Sequence, residues 1–258
     1  MESHRVSQGR PIRLLRESFP DRPGLDTAVS RVLLQRASRG EVGETLRIHR
    51  PGAIVAFGRQ DVVSDGYPEA VAAARRGGFQ AVERLAGGRA AVFHEDTVAF
   101  SWCIPEEEPR QSIQRRFLDL GEVVLAALKA LGVDARPGQV PGEYCPGTYS
   151  VNARGQKKIM GVGQRLAQRS AHVGGVVVVR GSERVRKILV PVYAALGVDW
   201  DERTVGSIED EVGPIGYQAA EQALLDEFAA RFHLEEGHLD QATLELARSL
   251  EPHHLSPG

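Results

Sequence analysis

The sequence predicts a two-layer domain of mixed helices and strands. Three observations carry that expectation: helical and strand periods alternate along the chain, one long helix shows a continuous apolar stripe, and paired glycines close several of the periodic runs. The chain has 258 residues and is 42% hydrophobic, enough for one large core or two modest ones. We expect one globular domain with boundaries at 25–214, an N-terminal segment over 1–24, and a helical C-terminal extension over 215–258 packed on it.

Taken in order, "GLDTAVSRVLLQRASRG" puts Leu25, Val29, Val32 and Leu33 on one face and ends at Gly40, as an amphipathic helix with a C-terminal glycine does. "TLRIHRP" and "AIVAFGRQ" read as short strands, and alanine-rich "YPEAVAAARRGG" as a helix closed by Gly77 and Gly78. "FQAVER", "AAVF" and "TVAFSWCI" are β-prone runs joined by "LAGG" and "HED", the layout of consecutive antiparallel strands. In "QSIQRRFLDLGEVVLAALKALG", Ile113, Phe117, Leu120, Val124, Leu128 and Leu131 recur at helical steps and form the stripe that buries against a sheet.

The proline- and glycine-rich stretch "VDARPGQVPGEYCPGTYSVNARG" excludes a helix and predicts a surface loop carrying Cys145. "QKKIMGVGQRLAQRS" and "AHVGGVVVVRG" then predict a hairpin whose valine-rich second strand is buried on both faces. "SERVRKILVPVYAALG" is helical with Ser182 as its candidate cap, "YQAAEQALLDEFAARF" and "LDQATLELARSLE" are helical, and "PHHLSPG" reads as a frayed tail.

Composition excludes several function classes. Lys plus Arg number 32 against 34 Asp plus Glu, a formal net charge of -2, which argues against nucleic acid as a partner. No run is apolar enough to span a membrane and "MESHRVSQGRPIRLL" lacks a signal-peptide core, so no membrane association is expected and a cytoplasmic location is. The two cysteines, Cys103 and Cys145, form no C-x-x-C pair, so neither a disulfide framework nor a zinc site is expected. Cys103 reads as a small buried hydrophobe. His94, Glu95 and Asp96 read as a turn, because adjacent strand residues face opposite ways and cannot easily share a metal. "GGRAAVFH" lacks the ending of a P-loop and "GVGQRL" the third glycine of a dinucleotide fingerprint.

Two motifs carry a resemblance. "VERLAGGRAAVFHEDTVAFS" resembles the glycine-rich R-R-x-x-G-G segment of the lipoate-protein ligase and octanoyltransferase family, which is related to biotin protein ligases. Further on, "GQKKIMGVGQRLAQRSAHVGGVVVV" resembles that family's G-K-K-I-x-G-x-A-Q-R segment and the His-Gly strand after it, and coarse similarity covers roughly Leu25 to Ile208. The resemblance implies an α+β fold with a large mixed, mainly antiparallel sheet flanked by helices. It implies that Arg84, Gly87, Gly88, Arg89, His94, Gly161 and His172 border the substrate, and that Lys158 contacts the acyl carbonyl.

Cys145 stands near the position where the family's cysteine-dependent octanoyltransferases carry their nucleophile. The resemblance therefore implies octanoyl transfer from acyl carrier protein to a lysine of a lipoyl domain, in glycine cleavage H protein or a 2-oxoacid dehydrogenase E2, through a Cys145 thioester and without a cofactor. Lys158 would lower the Cys145 pKa if the two approach, and valines 176–179 would line the acyl chain. The chain departs from the family pattern at Glu83, where an arginine is usual, at Arg89, where many ATP-using members have glycine, and at His172-Val173-Gly174-Gly175. An ATP- and Mg2+-dependent ligase working through an acyl-adenylate is the alternative activity, and a non-catalytic acyl-binding or regulatory protein is the alternative of another class.

Overall fold

The structure is a computed structural model that describes residues 11–257. The first ten residues of the expected N-terminal segment, and with them most of the stretch tested for a signal peptide, lie outside the described residues. Strands β1 (Ile12–Leu15), β2 (Thr45–His49), β3 (Ile54–Phe57), β4 (Gln80–Glu83), β5 (Ala91–Phe93) and β6 (Thr97–Pro105) come first in the chain. They are followed by β7 (Ala135–Pro137), β8 (Val151–Ala153), β9 (Lys157–Leu166), β10 (Ser170–Val178) and β11 (Leu234–Glu236). The helices are α1 (Pro23–Ser38), α2 (Arg59–Val62), α3 (Tyr67–Arg76), α4 (Ile113–Ala130), α5 (Ser182–Ala195), α6 (Ile208–Val212), α7 (Tyr217–Ala229) and α8 (Gln241–Leu250).

The large sheet has eight strands in the order β11-β1-β2-β6-β10-β9-β8-β7, antiparallel except where β1 pairs with β2 and β11. It is the α+β architecture that the resemblance implies. Its centre follows from alternation. Val98, Phe100 and Trp102 of β6 join the core beneath α4 and α7, while Ser101 and Cys103 turn toward α1. On the α4 stripe, Leu120, Val124 and Leu128 are fully buried, whereas Ile113 at the first turn is exposed. A second core under α3 and α5 covers the small sheet, in the order β4-β3-β5.

Three expectations require correction. The runs after Gly78 are not three consecutive antiparallel strands: β4 and β5 both pair with β3, β4 in parallel, while β6 belongs to the other sheet. The reason is the crossover through α2 and α3, since only a long connection returns the chain parallel to the strand it left. Ser182 is not the cap of α5 but its first residue, and Gly181, at φ +76, stands before it. The tail is not frayed. Leu255 bridges to Val82, buried His254 donates from Nδ1 to the Glu83 carbonyl (3.0 Å), and Tyr67 Oη donates to Ser256 Oγ (2.8 Å). The C-terminal extension also contributes β11 to the large sheet, and β1 arises from the segment before α1.

Candidate active site

The glycine-rich link lies flat against its neighbours because three positions lack side chains. Gly88 has φ +99, a conformation that disfavours any other residue, and a Cβ there would collide with the Arg84 guanidinium and come within 2.9 Å of Cys145 Sγ. Gly58, just after β3, lies against the Gly88 carbonyl, where a Cβ would overlap the oxygen. Gly163 on β9 faces Ala86, where a Cβ would come within 3.0 Å of the Ala86 methyl and press the link outward by a few tenths of an ångström.

The loop before β8 brings Cys145 to this link. Cys145 is itself in the left-handed region, at φ +43, an uncommon and costly state for an L side chain that neighbouring bonds must hold. Its amide donates to Tyr193 Oη (2.8 Å), and that hydroxyl donates to the Ala90 carbonyl (3.0 Å). Its carbonyl accepts from Lys158 Nζ (2.7 Å). The loop is organised around Glu143, whose carboxylate accepts from Lys158 Nζ (2.9 Å), Ser150 Oγ (2.6 Å) and the amides of Val140 (2.8 Å) and Gly147 (3.2 Å). Lys158 and Glu143 are both buried. Gly161 leaves the space beside the Lys158 side chain.

The sulfur meets two donors, Arg84 Nη2 at 3.2 Å and the Arg89 amide at 3.3 Å. Arg84 Nη2 also reaches the Arg89 carbonyl (2.6 Å), and the Arg89 side chain pairs with buried Asp61 (3.3 Å), which caps α2 at the Gly58 amide (3.0 Å). Burial pushes the Cys145 thiol up, but the charges of Arg84 and Lys158, with the bonds from Arg84 and the Arg89 amide, outweigh it and hold the thiol below its ordinary value. A lowered pKa means the thiolate is present at lower pH. Alkylation of Cys145 is therefore expected to begin at a lower pH than for an ordinary cysteine, and Arg84→Gln to move that onset upward, as the iodoacetamide rate against pH will measure. Cys103, fully buried, is instead pushed up to about 12 by burial.

Beside Arg84 opens a pocket of about 90 Å³ between α1, β2, β3 and the strands β6 and β10. Its walls are apolar, with Ile54, Ala56, Ala86, Phe93 and Phe100, and its inner end is polar, with Asp26, Ser30, His49, Ser101 and His172. Ser101 Oγ lies 3.1 Å from His172 Nδ1 and 3.2 Å from Ser30 Oγ, while Asp26 pairs with buried Arg47. Burial lowers His172 to about 4, so the ring is neutral.

The structure thus gathers Arg84, Gly88 and Arg89 around the Cys145 sulfur, sets Lys158 at the cysteine's carbonyl with Gly161 beside it, and puts His172 in the cavity. Gly87 is exposed at the edge of the link. His94 is not among them: it is buried in the turn before β6, accepts the Asp96 amide on Nδ1 (3.2 Å), and packs against Gly181. The valines after Gly175 line no part of the cavity, because Val177 and Val179 turn into the main core and Val178 into the second. Gly174 and Gly175 line it instead. Sequence reasoning missed Glu143, Tyr193 and Asp61. Only Glu143 had a local signal, an acid two residues before the cysteine.

Comparison with known proteins places the chain. The description "Lipoyl protein ligase A/B catalytic domain" matches residues 23–229. The chain belongs to this family. Relatives named octanoyl-[GcvH]:protein N-octanoyltransferase occur in Geobacillus kaustophilus, 26% identical over 170 residues (66% of this chain, 60% of the relative), and in an Exiguobacterium species, 27% over 187 residues (69% and 66%). The aligned part thus spans less than two thirds of each relative. In fold, the chain is similar to a lipoate-protein ligase A bound with ATP (TM-score 0.77, 22% identity, 94% and 95% of the two chains). It is also similar to a bi-partite lipoate protein ligase of Thermoplasma acidophilum (TM-score 0.74, 20% identity, 95% and 93%). Among the described residues, no helix is long and apolar enough to cross a membrane, and no group of His, Cys, Asp or Glu could hold a metal ion.

Proposed function

We propose that this lipoyl ligase family member is an octanoyltransferase of protein lipoylation that carries the acyl group on Cys145. The observation that carries the reading is a sulfur receiving two N–H donors from Arg84 and the Arg89 amide, with its pKa lowered, beside an apolar cavity. In the first step the thiolate attacks the donor's acyl carbonyl; the new C–S bond forms as the donor's leaving group departs, a thiolate from a carrier-protein thioester or, from an octanoyl-lysine amide, an amine, and in either case it takes up a proton from water. Arg84, already bonded to the sulfur, is the group best placed to follow charge onto the carbonyl oxygen, and its buried Nε has no partner in the structure. In the second step a neutral lysine amine attacks the thioester and gives up a proton to water, the C–N bond forms as the C–S bond breaks, and Cys145 leaves again as a thiolate, which its low pKa favours.

Lys158 has a narrower part than carbonyl contact. An ammonium has three N–H donors, and Lys158 gives them to Glu143, the Tyr144 carbonyl (3.1 Å) and the Cys145 carbonyl. It therefore positions the cysteine loop and adds positive charge near the sulfur. The apolar walls suit an acyl chain of about eight carbons, whose burial favours binding by about 0.8 kcal/mol per methylene.

The donor follows from the chemistry of a thiolate, which exchanges readily with an octanoyl thioester such as octanoyl-acyl carrier protein. The relatives' name puts octanoyl-GcvH on the donor side, so both donors belong in the test, with a lipoyl domain of GcvH or E2 type as acceptor. Incubating the chain with octanoyl-carrier protein, octanoyl-GcvH, or octanoate plus ATP and Mg2+, followed by intact-mass measurement of enzyme and apo lipoyl domain, decides it. We expect an octanoyl adduct on Cys145 and acceptor modification from a protein-borne octanoyl group without ATP. Modification only with octanoate, ATP and Mg2+ would make it a ligase, and ligand binding without turnover a regulatory protein.

A further inference from the structure

Along the Arg84–Gly87 segment runs an open groove of about 760 Å³, larger than the apolar pocket, with which it shares Arg84, Leu85 and Ala86. Its charged lining is almost entirely basic: Arg31 from α1, Arg59 from α2, Arg84, and Arg165 from β9, with the imidazoles of His253 and His254 from the tail beside them. Glu83 is the one acid in the lining, and its carboxylate accepts from Tyr67 Oη (3.0 Å). Among the described residues, Arg31, Arg59 and Arg165 make no ion pair or side-chain hydrogen bond, although most other arginines of the chain do.

A second, independent feature sits at the same place. His254 is 5% exposed, its Nδ1 is taken by the Glu83 carbonyl, and its Nε2 is buried without any partner. Arg31 is close enough to His254 to depress its protonation, below the larger effect of burial. Three separate elements thus converge unpaired arginines on one groove, in a chain whose net charge is -2. Such convergence stores like-charge repulsion that an anionic partner relieves.

We propose that this groove is the docking surface for the lipoyl domain that receives the acyl group, which meets it with a carboxylate-rich face. The proposal rests on the acyl-transfer reading above and adds where the protein substrate sits. Continuity argues for a protein over a free anion: Arg84 lines both groove and cavity, so a domain seated on the arginines brings its acceptor lysine to the link beside Cys145. The size of the groove and the spread of its arginines over three elements also suit a surface. Charge complementarity of this kind acts chiefly on encounter rate and KM, and salt screens it.

The test measures binding of a fluorescently labelled apo GcvH-type lipoyl domain to the full chain, at about 0.05 and about 0.3 M salt, for the wild type, Arg31→Glu/Arg165→Glu and Arg59→Glu. Octanoylation of Cys145 by an uncharged octanoyl-N-acetylcysteamine thioester is followed in parallel. We expect salt-sensitive binding, at least about tenfold weaker in the double variant, and unchanged labelling of Cys145 from the small donor. Equal binding by wild type and double variant, no binding by either, or equally tight binding of a single-stranded oligonucleotide would overturn the docking assignment. Absence of labelling in the wild type would instead count against the covalent acyl-transfer reading, leaving the binding result to stand by itself.

Discussion

Cys145→Ala is expected to lower kcat/KM for octanoyl transfer by at least about 10⁴-fold and to leave no acyl adduct on the protein. The site is built around the sulfur. Arg84 Nη2 and the Arg89 amide converge on it, and Gly88 carries no Cβ because one would press on both Arg84 and the sulfur. Structural effects should be small, since Arg84 keeps its bond to the Arg89 carbonyl and the cysteine's backbone keeps Tyr193 and Lys158. Cys145→Ser makes the stronger test, because a hydroxyl keeps the size but does not ionise near neutral pH. Single-turnover acyl transfer and the thermal midpoint of each variant are the readouts. Transfer at wild-type rate by either variant, with an unchanged fold, would refute the thioester.

Lys158→Met is expected to destabilise the protein by about 3–5 kcal/mol, the range for removing one partner of a buried ion pair. Glu143 would keep its four hydrogen-bonding neighbours less one, but as a buried carboxylate with no cation. The carbonyls of Tyr144 and Cys145 would lose their donor as well. For a chain of this length the midpoint of thermal unfolding should fall by about 10 °C. Lys158→Met/Glu143→Gln should recover part of that loss, because the uncompensated charge is gone, yet should not recover transfer. The loop would still lack the donor that holds the Cys145 carbonyl, and the sulfur would lack a nearby positive charge. Recovery of both stability and transfer would show that Lys158 has no part in placing the cysteine.

Much of the fold was legible in the residues because period and polarity report faces directly. The α4 stripe, the helix of "YPEAVAAARRGG" and the hairpin of β9 and β10 lie where their patterns put them. The strand partners of β4 and β5 were not legible. A short apolar run reads alike whether its neighbour is parallel or antiparallel, and whether it belongs to the first sheet or the second. The tail misled for a related reason: two histidines, two prolines and a glycine look like a solvated end, yet His254 and Ser256 are buried against β4 and α3 by contacts with residues far earlier in the chain.

By itself, the sequence determined the family motifs and the candidate cysteine and lysine, since these depend on residue type and short spacing. Tertiary structure alone decided the partners. Arg84 serves the sulfur of a residue 61 positions away, Lys158 turns its donors to the loop before β8 and to Glu143, and Tyr193 from α5 holds the amide of Cys145. It also decided that His94 stays apart from the sulfur and that the valines of β10 fill cores and leave the cavity to Gly174 and Gly175. The physical reason is common to all of these. Local pattern specifies which face a side chain takes, whereas the convergence of distant side chains depends on sheet register, crossover path and left-handed turns, which no local window of the chain contains.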